Sequence, residues 1–322
     1  MLKTSLLFLL LPVSLLAQNP PPRAGHAVTT AGPAGGMLML GGHIDNATRS
    51  ADTLWHWDGS RWSALSNSGP RNRALPAAAF DTRRNVLVVY GGTDVAGNTT
   101  FGETWEWDGR SWQNMNIPTP GSRDHHAMVY DEERGVVVMY SGATTTDSRF
   151  RNDTWTYDGK AWTLADTVTG PGGLVHHSMA YDARRGRTVL FGGIGYNRMP
   201  SDETWEWDGA RWVRIDVRGS SPGPRARHRM AYDVARGETL LFGGSRNGET
   251  WGWDGVKWTL RSTACPPDRD VSGMAYDGKR KRVVLFGGVT GDADPPAGYR
   301  NDVWEWDGSS WAQASGATQT CG

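Results

Sequence analysis

Five arginines recur at one slot of the sequence. Arg73, Arg123, Arg225 and Arg269 each stand seven residues before an aromatic–aspartate pair. Arg23 fills the slot in a copy where Thr30 replaces the aromatic, and a sixth copy carries Leu174 instead. A planar guanidinium suits bidentate recognition of a carboxylate or phosphate, so five at matching positions define a candidate anion-binding ring. Glu103, Asp153, Glu203, Glu249 and Asp302 also recur at one slot, further along each copy. Each arginine therefore either meets a ligand or pairs with one of these acids and ties a loop down; both readings stand at this point. His26, His126, His177 and His228 share a third slot, where two copies have Pro76 and Ser272, and such regularity predicts a repeated hydrogen bond instead of a metal site. His125 and His176 precede two of them and make a two-histidine site if their side chains converge. No nucleophile–base pair, metal-ligand spacing or phosphate loop stands out, and no cofactor is expected.

The elements that carry these slots are six copies of one unit. TWEWDGRSW at 104–112 recurs as LWHWDGSRW at 54–62, TWTYDGKAW at 154–162, TWEWDGARW at 204–212, TWGWDGVKW at 250–258 and VWEWDGSSW at 303–311. All 17 tryptophans lie in these segments, and Tyr157 fills the remaining aromatic position, so the rings read as core. Upstream of each lies an apolar run closed by small residues: MLMLGG, VLVVYGG, VVVMYSG, TVLFGG, TLLFGG and VVLFGG. Only the third breaks the diglycine, with Ser141. Each unit reads as four strands, A to D. Strand A ends in the aromatic–aspartate pair, strand B runs into the diglycine, strand C alternates its tryptophans onto one face, and strand D starts at the last tryptophan. Asp-Gly between C and D is a strong hairpin signal.

The diglycine after an apolar strand, followed by the spaced aromatic pair, resembles the kelch repeat, and the period of about fifty residues agrees. The resemblance covers residues 23 to about 315. It implies an all-β, six-bladed propeller of four antiparallel strands per blade, with strand A nearest the axis and repeats at 23–70, 71–120, 121–169, 170–222, 223–265 and 266–322. Kelch proteins that capture acidic peptides use arginines around the channel mouth, so the resemblance implies the same use for Arg23, Arg73, Arg123, Arg225 and Arg269. No strand is left to swap between the first and last units, so their packing must close the ring. The A–B and C–D turns should share one face. The longer, variable B–C and D–A loops should share the other, where binding residues are expected. The fifth B–C loop, 245–248, is the shortest, and the rim should dip there.

Residues 1–17 combine Lys3, an apolar run and Ala17 before Gln18, the pattern of a secretory signal peptide. The run is too short to span a bilayer. A single propeller over 18–322 is then expected in the periplasm or outside the cell, where Cys265 and Cys321 would form a disulfide. Lys+Arg and Asp+Glu both number 34, which gives no electrostatic reason for a nucleic-acid or anionic-membrane partner. The functional reading is a secreted, monomeric, non-catalytic module that binds a protein, peptide or glycan through the B–C/D–A face. The alternative is a carbohydrate-active enzyme resembling the sialic acid mutarotases. Galactose oxidase chemistry fits less well, because neither cysteine falls in a predicted strand.

Overall fold

The computed structural model describes residues 19–44, 52–144, 149–244, 248–263, 265–290 and 298–316. Six four-stranded antiparallel sheets follow one another, each in the order A-B-C-D. Blade one comprises Ala27–Thr30, Met37–Leu40, Leu54–Trp57 and Trp62–Ser66; blade two comprises Ala77–Asp81, Val86–Tyr90, Thr104–Trp107 and Trp112–Asn114. Blade three comprises Ala127–Asp131, Val136–Tyr140, Thr154–Tyr157 and Trp162–Asp166; blade four comprises Ser178–Asp182, Arg187–Phe191, Thr204–Trp207 and Trp212–Ile215. Blade five comprises Arg229–Asp233, Glu238–Phe242, Thr250–Trp253 and Trp258–Ser262; blade six comprises Gly273–Asp277, Arg282–Phe286, Val303–Trp306 and Trp311–Ser315. Every strand A touches the strand A on either side, blade one touching blade six, so the six innermost strands surround an axis. No strand is exchanged between the first and last blades. The signal-peptide residues 1–17 and Cys321 lie outside the described residues, as do parts of four B–C loops, including 245–247 of the expected dip. Among the described residues no helix is long and apolar enough to cross a membrane.

The seams between blades explain the repeated aromatics. The strand-D tryptophan packs on the strand-C ring of its own blade at 5.0–5.6 Å between centroids. It also meets, at 4.8–5.7 Å, the aromatic that ends strand B of the preceding blade: Trp62 on Phe286, Trp162 on Tyr90, Trp212 on Tyr140, Trp258 on Phe191 and Trp311 on Phe242. Each buried tryptophan removes roughly 150–250 Å² from water, or about 4–6 kcal/mol gross. A lone four-stranded sheet could not hide that surface on both faces, which is why the blades depend on their neighbours.

A hydrogen bond fixes the register of this contact. The indole Nε1–H of Trp162, Trp212, Trp258 and Trp311 donates to the hydroxyl of Thr104, Thr154, Thr204 and Thr250 in the preceding blade, at 2.8–2.9 Å. In the other two seams the threonine is replaced by Leu54 or Val303, and Trp112 and Trp62 have no partner for their indole N–H. A second polar tie alternates around the ring. Glu305, Glu106 and Glu206 accept from Trp57, Tyr157 and Trp253 of the following blade at 2.9–3.1 Å. Each of these acids also holds an arginine of its own blade's A–B turn, Arg280, Arg84 or Arg185, in a two-pronged pair.

That turn arginine reaches across to the next blade's C–D turn and lies on its glycine. A Cβ on Gly59, Gly159, Gly209, Gly255 or Gly308 would strike the arginine of the preceding blade, and all five have φ between +91° and +102°. The preceding aspartate orders the same turn by accepting two backbone N–H bonds, as Asp58 does from Ser60 and Arg61.

The isosteric change Val303→Thr should supply the missing acceptor for Trp62 and stabilise the fold by about 1 kcal/mol, whereas Thr104→Val should cost about 1–2 kcal/mol by orphaning Trp162. Urea unfolding of the two variants checks the opposite signs.

Candidate functional site

The five repeated arginines lie at the loop face, but as clamps. Arg23, Arg123, Arg225 and Arg269 are at most 1% exposed and Arg73 4%. Each sends Nη1 to the carbonyl that ends strand B of its own blade: Gly41, Gly91, Ser141, Gly243 or Gly287, at 2.7–3.2 Å. Four also meet the acid before strand C. Arg73 pairs with Glu103 at 2.6 Å, Arg225 with Glu249 at 3.0 Å, and Arg123 and Arg269 grip Asp153 and Asp302 with two nitrogens each. Three of these acids, Asp153, Glu249 and Asp302, also accept the first strand-C indole, from Trp155, Trp251 and Trp304. Arg123 holds Asp153 below the usual carboxylate range although burial acts to raise it. Arg23 donates to two backbone carbonyls, those of Pro21 and Gly41, and burial lowers its pKa to about 9. In the fourth blade, where Leu174 holds the slot, Glu203 pairs with the exposed Arg214 at 3.0 Å. None of the five arginines lines the axial channel.

The same loop closes the diglycine over the next blade. The second glycine's N–H donates to the carbonyl of the following blade's slot residue, from Gly42 to Arg73, Gly92 to Arg123, Gly142 to Leu174, Gly193 to Arg225 and Gly288 to Arg23. A Cβ on Gly91 would overlap the carbonyl of Arg123, so the first glycine is required by close approach as well as by its φ of +62°. Ser141, which stands in this place in the third copy, instead donates its hydroxyl to the carbonyl of Arg151 and accepts the N–H of Leu174.

Closer to the axis, the repeated hydrogen bond expected of His26, His126, His177 and His228 is a poorly aligned one, to the backbone of Phe286, Tyr90, Tyr140 and Phe191 across the seam. Neither ring nitrogen of any of the four has a well-formed partner. Their strand face looks across the seam at an aromatic ring: His26 meets Phe286, His126 meets Tyr90, His177 meets Tyr140 and His228 meets Phe191, edge to face at 5.5–5.7 Å. Burial holds all four neutral, His177 near 3 and the others well below the ordinary value, and the nearby backbone carbonyl of the aromatic offsets this only in part. They are core residues.

The residue before each of these positions forms a belt around the loop-face mouth. Gly25, Leu75, His125, His176, Arg227 and Val271 all adopt φ between +46° and +67°. That conformation costs about 1–2 kcal/mol for a side chain other than glycine. It turns each peptide toward its neighbour. Leu75 N–H donates to Gly25, Gly25 to Val271, Val271 to Arg227 and Arg227 to His176, at 2.7–3.0 Å. The run is not continued at His125. There the imidazoles of His125 and His176 meet at 4.2 Å between centroids, so the two histidines do converge. His125 Nδ1 lies 2.6 Å from the carboxylate of Asp124. His176 is neutral, its pKa lowered to about 2 by burial first and then by His125, Arg227 and Arg229.

One channel residue was not singled out by the repeat. At the first position of strand A the blades carry Ala27, Ala77, Ala127, Ser178, Arg229 and Gly273. Five small residues and one arginine occupy the same place. The Arg229 side chain enters the axial neck, a cavity of about 120 Å³ that it shares with His125 and His176. It donates to the backbone carbonyls of Ser272 at 2.7 Å and His228 at 3.0 Å. Among the described residues no carboxylate is within ion-pair distance of it. Burial lowers its pKa to about 10 and Asp270 offsets part of the shift, so it remains a cation at neutral pH. The signal for it in the sequence was departure from the repeat.

Below the neck, Met128, Met179, Met230 and Met274 form a girdle with Val28 and Ala78, and these residues border both the neck and a wider bowl of about 490 Å³ that faces the A–B turns. The channel therefore has a polar end at the loop face and an apolar end at the turn face.

Diglycine-ended strands, paired tryptophans and six four-stranded blades about an axial channel make this chain a six-bladed kelch-type β-propeller. A family model described as the KLHDC2/KLHL20/DRC7 Kelch-repeats domain matches residues 106–252. The solved structure of YjhT is similar over 93% of this chain and 99% of that one, with a TM-score of 0.70 and 14% sequence identity, a likeness of fold. No curated protein matches the sequence.

Arg269→Ala should cost about 3–5 kcal/mol, because Asp302 would be left buried beside an apolar core without its partner. Loss of stability in chemical denaturation is the expected result; a fold of undiminished stability would remove the clamp role.

Proposed function

We propose that the protein is an exported, monomeric binding propeller that captures a ligand bearing an anionic group, an acidic peptide or acidic glycan, at the loop-face mouth of its channel. The observation that carries this reading is Arg229, a cation held in a narrow neck by two backbone carbonyls where every other blade places alanine, serine or glycine. Burial keeps His176 and His177 neutral beside it, and its two bonds fix the guanidinium without neutralising it. The five clamp arginines take no part in binding on this reading; they hold the loops around the mouth. Rigid loops over a fixed scaffold are where a propeller places its specificity.

A second reading has its own support. Asp124 orients the His125 imidazole beside Arg229, the arrangement a proton-transfer catalyst on an acidic sugar would use. It corresponds to a carbohydrate-active enzyme of the mutarotase type.

The test is an array of acidic and neutral peptides and glycans probed with the native protein and with Arg229→Ala, a residue that three other blades already carry at this position. Acidic members should be retained by the native protein and weakened about 10- to 100-fold in the variant, the loss of a charge-assisted contact. Equal retention by both proteins, or preference for neutral members, would discard the reading. Faster anomeric exchange of a bound acidic sugar by NMR, abolished by His125→Ala, would put the enzyme in its place.

A further inference from the structure

The turn-face bowl departs from the repeat on one side. At the girdle level four blades carry methionine, whereas blades one and two carry Val28 and Ala78. One level further out five blades carry an aromatic, and blade one carries Thr30. Val28 and Thr30 share the face of strand A that packs toward blade six, and Ala78 faces blade one, so the channel widens into a notch around strand A of blade one, with Phe80 and Gly32 on its blade-two side. Gly32 lies so close to that ring that a Cβ would overlap it.

The wall of the bowl is mixed, with more apolar than polar surface. Two of its four tyrosine hydroxyls meet the preceding blade's turn: Tyr181 accepts the N–H of Glu133 at 3.2 Å and Tyr276 that of Ala235 at 3.1 Å, while those of Tyr130 and Tyr232 lie buried near Asp81 and Asp182. The Thr30 hydroxyl accepts the N–H of Gly32. The apolar part of the wall is ring surface and thioether, which adapt well to a flat aromatic guest. At the rim one acid, Glu132, and one base, Lys281, balance. A volume of about 490 Å³ falls in the range of small-molecule sites.

We infer that this bowl is a second ligand site, independent of the Arg229 neck, that takes an uncharged aromatic small molecule with its ring seated in the notch around strand A of blade one. The methionine girdle separates it from the polar neck, so the two sites are reached from opposite faces.

Titration of the whole protein with the uncharged fluorophore N-phenyl-1-naphthylamine tests this. One saturable site is expected, displaced by naphthalene more readily than by decanoate. Ala78→Met fills the notch with the residue four other blades carry there, and Val234→Trp crowds the mouth from a position 57% exposed. Each should weaken the fluorophore at least tenfold without lowering the unfolding midpoint, and Arg229→Ala should bind it as the native protein does. Unchanged affinity in both filled variants, several weak sites, or stronger displacement by decanoate would overturn the inference.

Discussion

The structure depends on one contact made at every seam: a strand-D tryptophan wedged against a neighbouring blade. Five of the six lie on an aromatic that ends the neighbour's strand B; in the remaining seam that position is Leu40 and the tryptophan is Trp112. Because the ring is shared, its burial belongs to neither blade alone. The threonine hydroxyl that receives the indole N–H in four seams converts a greasy contact into one with a fixed height and angle. Six inner strands are then set at matching levels around the axis, and the channel becomes a stack of rings: the belt, the neck, the methionines and the aromatics.

That stacking is why single departures from the repeat have such local effects. A residue changed in one blade alters one sixth of one ring and leaves the rest in place. Arg229 charges the neck without disturbing the five small residues at its level. Val28, Ala78 and Thr30 open one side of the bowl while the girdle stays closed elsewhere. The two ends of the channel thus acquire different chemistry on a nearly uniform scaffold.

The fold was legible in the sequence because its core residues are its repeated residues; tryptophan spacing alone leads to strands, blades and ring. The arginine slot was legible as a slot, and pairing with the strand-C acids was one of its two readings. Choosing between them required knowing that Arg123 and Asp153, 30 residues apart, face one another inside a single blade. The histidine slot was legible as a repeated contact but not in its kind. Strand alternation tells which way His126 points, but not that the ring and backbone of Tyr90 in another blade wait there. Arg229 escaped because a search for recurrence passes over the residue that occurs once. The convergence of His125 and His176 needed the left-handed backbone at both, which histidine does not advertise.

The alternation of cross-blade ties also leaves the circle unevenly fastened. Between blades six and one, where the chain's two ends meet, Glu305 grips Trp57, His26 leans on Phe286, and Arg280 spans to the next turn. Between blades one and two, Leu54 replaces the threonine, His56 the glutamate, Leu40 the aromatic and Pro76 the histidine, and Gly109 has no arginine lying on it. The backbone bonds from Leu75 to Gly25 and from Gly42 to Arg73 remain. If the closed ring breathes, it should therefore part between blades one and two and not between blades six and one. Amide exchange that is slower along Leu54–Trp57 than along Val303–Trp306 would contradict that order.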